Sequence, residues 1–312
     1  MTKTLLKGSP QLSGRHLLMA GSVMLMVLLA ACSGSSDEPA TSTPTGPSDD
    51  DIFLFVNFSD VAPGENRLPF ALRQFDGGKI DAAPEDVTLT YGLRDSGVVQ
   101  TAPLAVFREW PVGGGVFTTT GIYDSAGIWD FDVTINNPDG NTTTASATRL
   151  VKDVASTPAV GTAAPVVSTK TGTTEEELLL ITSDANPIPE MYAVSLDDAL
   201  AAGQPIVVTF STPAWCTTQT CGPQVNTVDE VRQAHIGEAA FIHVELFDNP
   251  LEMRESGDPQ VGIESPAVEP WNLPSEPWTF IINSDGLISA KFEAYTTADE
   301  IEEALAVVLA DS

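Results

Sequence analysis

Three hundred and twelve residues with 43 Asp+Glu against 14 Lys+Arg carry a formal charge of −29. A surface so acidic repels phosphate backbones and anionic headgroups, which excludes nucleic acid as a partner. With 42% hydrophobic residues and three His, the chain has apolar content for packed cores but too few imidazoles for a His-rich metal enzyme. At roughly 100–200 residues per domain, its length suggests about two domains.

Lys3, Lys7 and Arg15 precede an apolar run over residues 17–31. At about 1.5 Å per residue that run spans ~22 Å, short of the ~30 Å bilayer core. A basic start, a short apolar stretch and small residues before a cut describe a signal peptide over residues 1–31. Leu29-Ala30-Ala31-Cys32 resembles the bacterial lipobox, and that resemblance implies diacylation of Cys32 and cleavage before it. Residues 32–51, rich in Ser, Thr, Pro, Gly and Asp, suit a flexible tether. The expectation is a lipoprotein of the bacterial cell envelope, held to the membrane through Cys32 and facing the extracytoplasmic side. With Cys32 lipidated, Cys216 and Cys221 are left as one pair, and outside the cytosol such a pair is expected to be oxidised.

Residues 52–153 offer seven short β-rich runs, at 52–58, 68–73, 87–93, 104–109, 116–120, 128–135 and 142–151, parted by Gly- and Pro-bearing turns. Trp129-Asp130-Phe131-Asp132-Val133-Thr134-Ile135 alternates strictly, the mark of a half-buried strand. Seven strands without a helical window predict an all-β, immunoglobulin-like sandwich. The run from Asp124 to Trp129 is similar to the Asp-x-Gly-x-aromatic entry of such domains, one residue longer than usual. No Cys staples this region, so its apolar faces alone must hold it, with Trp110 and Trp129 expected in the core. Residues 154–190 read as a linker, rich in Thr, Ala, Pro and Gly at first; its stretch 174–181 fits a short helix or a strand equally.

Across 191–312 the pattern becomes alternating helix and strand. Ser195 can cap a helix over 196–202 that ends at Gly203, and 205–211 is a β-branched run of the kind buried on both faces. A helix over 224–234, a strand over 240–247, a polar stretch over 248–266 and a short helix near 268–273 follow. Runs 278–283 and 287–292 form a hairpin across Ser284-Asp285-Gly286. The chain closes in a helix with a Thr297/Glu300 capping box and Ile301, Ala304, Leu305, Val308 and Leu309 along one face.

This order, with Trp215-Cys216 just after a buried strand, resembles the thioredoxin fold over about residues 191–312. Val207-Val208-Thr209-Phe210 leading to Trp215-Cys216 is similar to the family's approach to its redox pair, and Cys221-Gly222-Pro223 echoes its Cys-Gly-Pro. The run from Leu273 to Phe280 looks like the approach to the family's cis-proline, which would be Pro277. The fold class expected is therefore multidomain, an immunoglobulin-like sandwich followed by an α/β thioredoxin-like domain. The resemblance implies a thiol-disulfide oxidoreductase acting on protein thiols and disulfides of the envelope, needing no cofactor and no metal. It places Cys216, Cys221 and Pro277 in the chemistry, with Trp215 and Trp278 presented to substrate.

The departures are as informative. The family spaces its cysteines Cys-x-x-Cys, whereas four residues separate Cys216 from Cys221. On an unbroken helix five steps advance about 7.5 Å, and a disulfide rarely forms beyond a Cα separation of ~7 Å. The bond thus requires Cys216 on a loop folding back over a helix that starts near Cys221, which Pro223 tolerates in a first turn and Thr218 or Thr220 could cap. Helix N-terminal N–H groups favour a thiolate, but no Lys, Arg or His lies in 211–231 to assist. Thr209 stands near where many thioredoxins keep a buried acid. Aligning on Trp215-Cys216 makes Cys216 the nucleophile; aligning on Cys221-Gly222-Pro223 reverses the roles. Two other functions compete: a Sco-type copper carrier, which would enlist His243, and a non-catalytic binder in which the disulfide only pins a loop.

Overall fold

Strands of alternating pattern build the first half: β1 (Ile52–Val56), β2 (Gly64–Gln74), β3 (Val87–Leu93), β4 (Gln100–Thr101), β5 (Val106–Glu109), β6 (Gly115–Tyr123), β7 (Gly127–Asn136) and β8 (Thr142–Val151). The computed structural model describes residues 51–310 apart from Lys79, Asp81 and Val112. The signal peptide, Cys32 and the tether up to residue 50 lie outside the described residues. β4 is not announced by the sequence, since two residues cannot show a period.

These strands join in two antiparallel sheets, ordered β1-β2-β6-β5 and β4-β3-β7-β8. Along β7 the alternate residues Trp129, Phe131, Val133 and Ile135 are buried, and they share one apolar core with Leu54, Val56, Leu68 and Phe70 of the other sheet. Period two therefore does here what it is expected to do. Trp129 lies in that core, its Nε1 donating to the Ser125 carbonyl at 3.1 Å. Trp110 does not: half-buried, it meets Tyr295 edge-on at 5.8 Å.

The second half holds α1 (Glu175–Ile181), α2 (Leu196–Ala201), β9 (Ile206–Ser211), α3 (Cys221–Ala234), β10 (Ala240–Glu245), α4 (Pro250–Ser256), β11 (Trp278–Ile282), β12 (Ile288–Glu293) and α5 (Ala298–Ala310). Its sheet runs β10-β9-β11-β12, with β10 parallel to β9 and β11 antiparallel to both neighbours. One face packs Val208, Phe210, Val244, Trp278 and Phe280 against Leu196 of α2 and Trp271. The opposite face packs Val207, Phe241 and Ile281 against Val225 and Val228 of α3 and Ile301 and Leu305 of α5. Covering both faces explains why β9, β10 and β11 have no exposed residue.

The segment after β8 is folded against this sheet, not strung between two bodies. Gly161 N–H donates to Ile288 O at 2.8 Å, Ile288 N–H to Thr162 O at 2.9 Å and Ala164 N–H to Gly286 O at 2.9 Å. Further on, the helical alternative wins at 175–181, because Thr174 accepts from Glu177 N–H while Glu177 accepts from Thr174 N–H, a complete capping box. That helix buries Leu178, and Met191 and Tyr192 follow it into the same core. Thr174→Ala is expected to lower unfolding stability by about 1 kcal/mol in denaturant titration, the usual worth of such a cap.

Polar contacts tie the first half to the second. Arg67 grips Glu300 through Nε–Oε1 at 2.8 Å and Nη2–Oε2 at 3.1 Å, Arg108 pairs with Asp299, and Ser59 N–H donates to Glu293 at 2.8 Å. Among the described residues no helix is long and apolar enough to cross a membrane.

Candidate functional site

Three pieces of chain converge beyond the end of β9. The first is the loop 212–220, held at its base where Ser183 Oγ accepts from Ala214 N–H at 3.2 Å. The second is the start of α3, where Pro223 occupies the first turn and its missing N–H costs nothing. The third is the loop before β11, which contains the cis bond Glu276–Pro277. Pro277 thus sits in the isomer the sequence resemblance implied.

Cys216 and Cys221 are bonded, with Cα atoms 5.9 Å apart. As the spacing required, Cys216 stands on the loop and Cys221 opens the helix. The fold-back is made by Gln219 at φ 61° and by Gln219 N–H donating to Cys216 O at 3.4 Å. Thr220 holds the N-cap position, but its hydroxyl bonds Thr218 at 2.8 Å and makes no capping contact. Neither threonine hydroxyl therefore caps α3 in the expected way. Instead the first N–H of the helix, that of Cys221, points at Cys216 Sγ at 3.3 Å, and Thr218 Oγ1 lies 3.2 Å from the same sulfur.

The two sulfurs differ in access. Cys221 is fully buried, whereas Cys216 is only half-buried and Trp215 beside it likewise. Trp278 is placed differently from the expectation: it is 2% exposed, its ring stacks on Phe280 at 5.8 Å, and its Nε1 donates to Ser275. Its ring belongs to the core on the far side of the sheet from α3 and is not offered to a peptide. Pro277 O is also engaged, accepting from Ala294 N–H at 2.9 Å.

Beneath α3 the sheet face is polar where a core would be apolar. Thr209, Thr279 and Gln224 are fully buried and joined in a chain, Gln224 Nε2 donating to Thr279 Oγ1 at 3.2 Å and Thr279 Oγ1 to Thr209 Oγ1 at 3.2 Å. His243 and Glu245 continue the strip on β10. Tyr192 OH lies 2.6 Å from His243 Nδ1, and Ser211 O lies 3.2 Å from Nε2, so a neutral ring protonated at Nε2 satisfies both. Burial lowers the His243 pKa to about 4. A copper reading would need this imidazole free, whereas it is buried with both ring nitrogens engaged.

Two carboxyl groups that sequence reasoning missed complete the site. Glu276 accepts from Thr212 N–H at 2.7 Å, and its carboxylate oxygen and the two sulfurs all lie within 4.8 Å of one another. Burial raises its pKa, against the pull of that Thr212 hydrogen bond. Glu245 accepts from Ser183 N–H at 2.7 Å, and burial pushes its pKa up to about 7, with Glu276 adding to the rise. Glu276 could have been suspected from its place directly before Pro277. Glu245 could have been suspected as an acid inside a run of buried strand residues.

Parallel β9 and β10 flanked by an antiparallel hairpin, helices on both faces, a cysteine pair where β9 hands over to α3 and a cis-proline before β11 together make this half thioredoxin-like. No family model and no curated protein matches the chain. Among solved structures it is similar to a thiol:disulfide interchange protein of the thioredoxin family from Chlorobium tepidum, at 16% identity over 49% of this chain and 99% of that one, with a TM-score of 0.32. It is also similar to StoA from Bacillus subtilis, at 17% identity over 36% and 87%, TM-score 0.28, and to the Lin-41 filamin domain, at 13% over 35% and 99%, TM-score 0.23. The assignment of the fold rests on the strand order and the site geometry.

Proposed function

We propose that this chain is a thiol-disulfide oxidoreductase of the cell envelope, tethered through a lipid on Cys32 and carrying an immunoglobulin-like sandwich ahead of its thioredoxin-like half. One observation carries the reading: the bonded pair has one sulfur within reach of a partner and the other sealed in the protein. Cys216 is the attacking thiolate of the reduced protein and Cys221 the resolving thiol. The Cys221 N–H and Thr218 hydroxyl at Cys216 Sγ support that order, since donors at a sulfur favour its thiolate. Attack on a substrate disulfide gives a mixed disulfide on Cys216, and Cys221 then displaces the substrate thiol. Trp215, beside the accessible sulfur, contacts the substrate, a protein thiol or disulfide, while Pro277 is buried directly after Glu276, whose carboxylate meets the two sulfurs. A purely structural disulfide gains little here, because closing so short a loop removes little chain entropy.

The test is a glutathione redox titration of the full chain with thiol trapping and mass spectrometry, alongside an insulin-reduction assay with Cys216→Ser as control. The expected result is a 216–221 pair that interconverts with the buffer and speeds insulin precipitation, both lost in the variant. A pair that stays oxidised while native and gives no rate above the control would make the disulfide a pin and end this reading.

A further inference from the structure

We propose that Glu276 is the proton carrier of the cysteine pair, taking the proton of Cys221 as the mixed disulfide is resolved and delivering it to the departing thiolate; this rests on reading the pair as an exchange centre. The need for a carrier comes from burial. Cys221 is 0% exposed, so solvent cannot take its proton directly, and a thiol must lose that proton before it attacks.

The neighbourhood leaves few groups for the task. Residues 211–231 contain no Lys, Arg or His. His243 is held between Tyr192 and Ser211, with both ring nitrogens engaged. On the α3 face of β9, next to apolar Val207, stands Thr209, a hydroxyl bonded to Thr279 and to Trp278 O. Among the described residues, Cys216 and Cys221 meet Glu276, and Glu245 on β10 feels its charge. Of the two acids, Glu276 is the one whose carboxylate lies within 4.8 Å of both sulfurs.

Its setting suits transfer in both directions. Thr212 N–H fixes one carboxylate oxygen at 2.7 Å, so the group is aimed and not merely near. The side chain is half-buried, with the sulfurs on one side and access to water in reach. Burial also raises its affinity for a proton toward that of a thiol, which narrows the uphill step between them.

The steps balance as follows. Cys216 thiolate attacks a substrate disulfide; its sulfur bonds to one substrate sulfur, the substrate S–S bond breaks, and the other half leaves as a thiolate that takes a proton from water. Cys221 then passes its proton to the Glu276 carboxylate, and the Cys221 thiolate attacks Cys216 Sγ. The 216–221 bond forms, the mixed disulfide breaks, and the departing thiolate takes the proton from Glu276. The pair is oxidised by two electrons and the substrate disulfide is reduced by two. The reverse order serves oxidation of a substrate dithiol.

The experiment follows the reduced full chain reacting with glutathione disulfide, quenched in acid and read by mass spectrometry. Glu276→Gln keeps an acceptor for Thr212 N–H and removes the titration. The expected result is resolution slowed about 10²-fold, the ordinary worth of a positioned acid-base group, so that the Cys216–glutathione adduct accumulates. The first step is expected to change by less than about threefold. Resolution in the variant should also lose the wild-type rise with pH attributable to the carboxylate, and Glu276→Asp should restore part of the rate. Glu276→Gln resolving with the wild-type rate and pH profile, or slowing both steps alike, overturns the assignment alone. A wild type that does not exchange with glutathione disulfide overturns the exchange reading, and the carrier with it.

Discussion

A Cys221→Ser variant incubated with an oxidised peptide is expected to end as a stable adduct on Cys216, while Cys216→Ser under the same conditions forms none. The asymmetry follows from access and from local dipoles. A disulfide exchanges by in-line attack of a thiolate, so the entering partner needs an open path to the sulfur it bonds. Cys216 Sγ lies on the loop, half-exposed, with the Cys221 N–H at 3.3 Å and the Thr218 hydroxyl at 3.2 Å to hold its negative charge. Cys221 is buried beneath that loop, and the sulfur it meets is that of Cys216. Serine in place of the resolving thiol leaves the first step intact and removes the second, so the adduct should persist at near one per chain by mass spectrometry. The difference in adduct yield between the two variants should be at least tenfold. Adduct formation by Cys216→Ser in place of Cys221→Ser would reverse the two roles and sink the assignment of Cys216 as nucleophile.

Which parts of this site the sequence made legible depends on whether a local rule governed them. The fold-back of Cys216 over Cys221 followed from helical rise against disulfide reach, and the observed 5.9 Å between their Cα atoms agrees. β7 followed from alternation alone. The same rule, applied to 278–280, puts Trp278 on one face with Phe280 and opposite Thr279, and the ring is buried on that face. α4 also carried signals inside its polar stretch, Pro250 at the first helical position and Gly257 in the left-handed conformation at its end, φ 67°. By contrast, nothing local predicts that Glu276 meets two sulfurs some sixty residues upstream. That proximity is made by the return of the chain along β9 and β11, a tertiary fact. The same holds for residues 161–192, whose Thr, Pro and Gly content suits a linker but whose backbone finds partners on β12 and whose Ser183 supports the loop below Cys216.

Glu245→Gln is expected to change the pH dependence of folding stability more than any other single surface or core charge on the β10 face. Glu245 is 5% exposed, and burial raises its pKa from an ordinary 4.5 to about 7, only partly offset by the Ser183 hydrogen bonds. Because the folded value is the higher one, the native protein keeps a proton that the unfolded chain has already released. Stability contributed by this group is complete below pH 4.5 and falls as pH rises through 7. At about 1.4 kcal/mol per pKa unit, the wild type should lose on the order of 3 kcal/mol across that window relative to the variant. Glutamine keeps an acceptor for Ser183 N–H at the same place and cannot ionise, so the two proteins should match near pH 4.5 and part toward pH 8 in urea titrations. His243 on the same strand has the opposite slope: its folded pKa of about 4 lies below the ordinary 6.5, so its contribution is present above 6.5 and lost as acid protonates the unfolded ring. Since His243 stays in both proteins, it cancels in the difference between them, which isolates the carboxyl. Glu276 stays in both proteins too; its charge adds to the rise in the Glu245 pKa and is therefore already part of the measured difference. A difference curve flat from pH 4.5 to 8 would show that Glu245 ionises in the native protein as freely as in the unfolded chain.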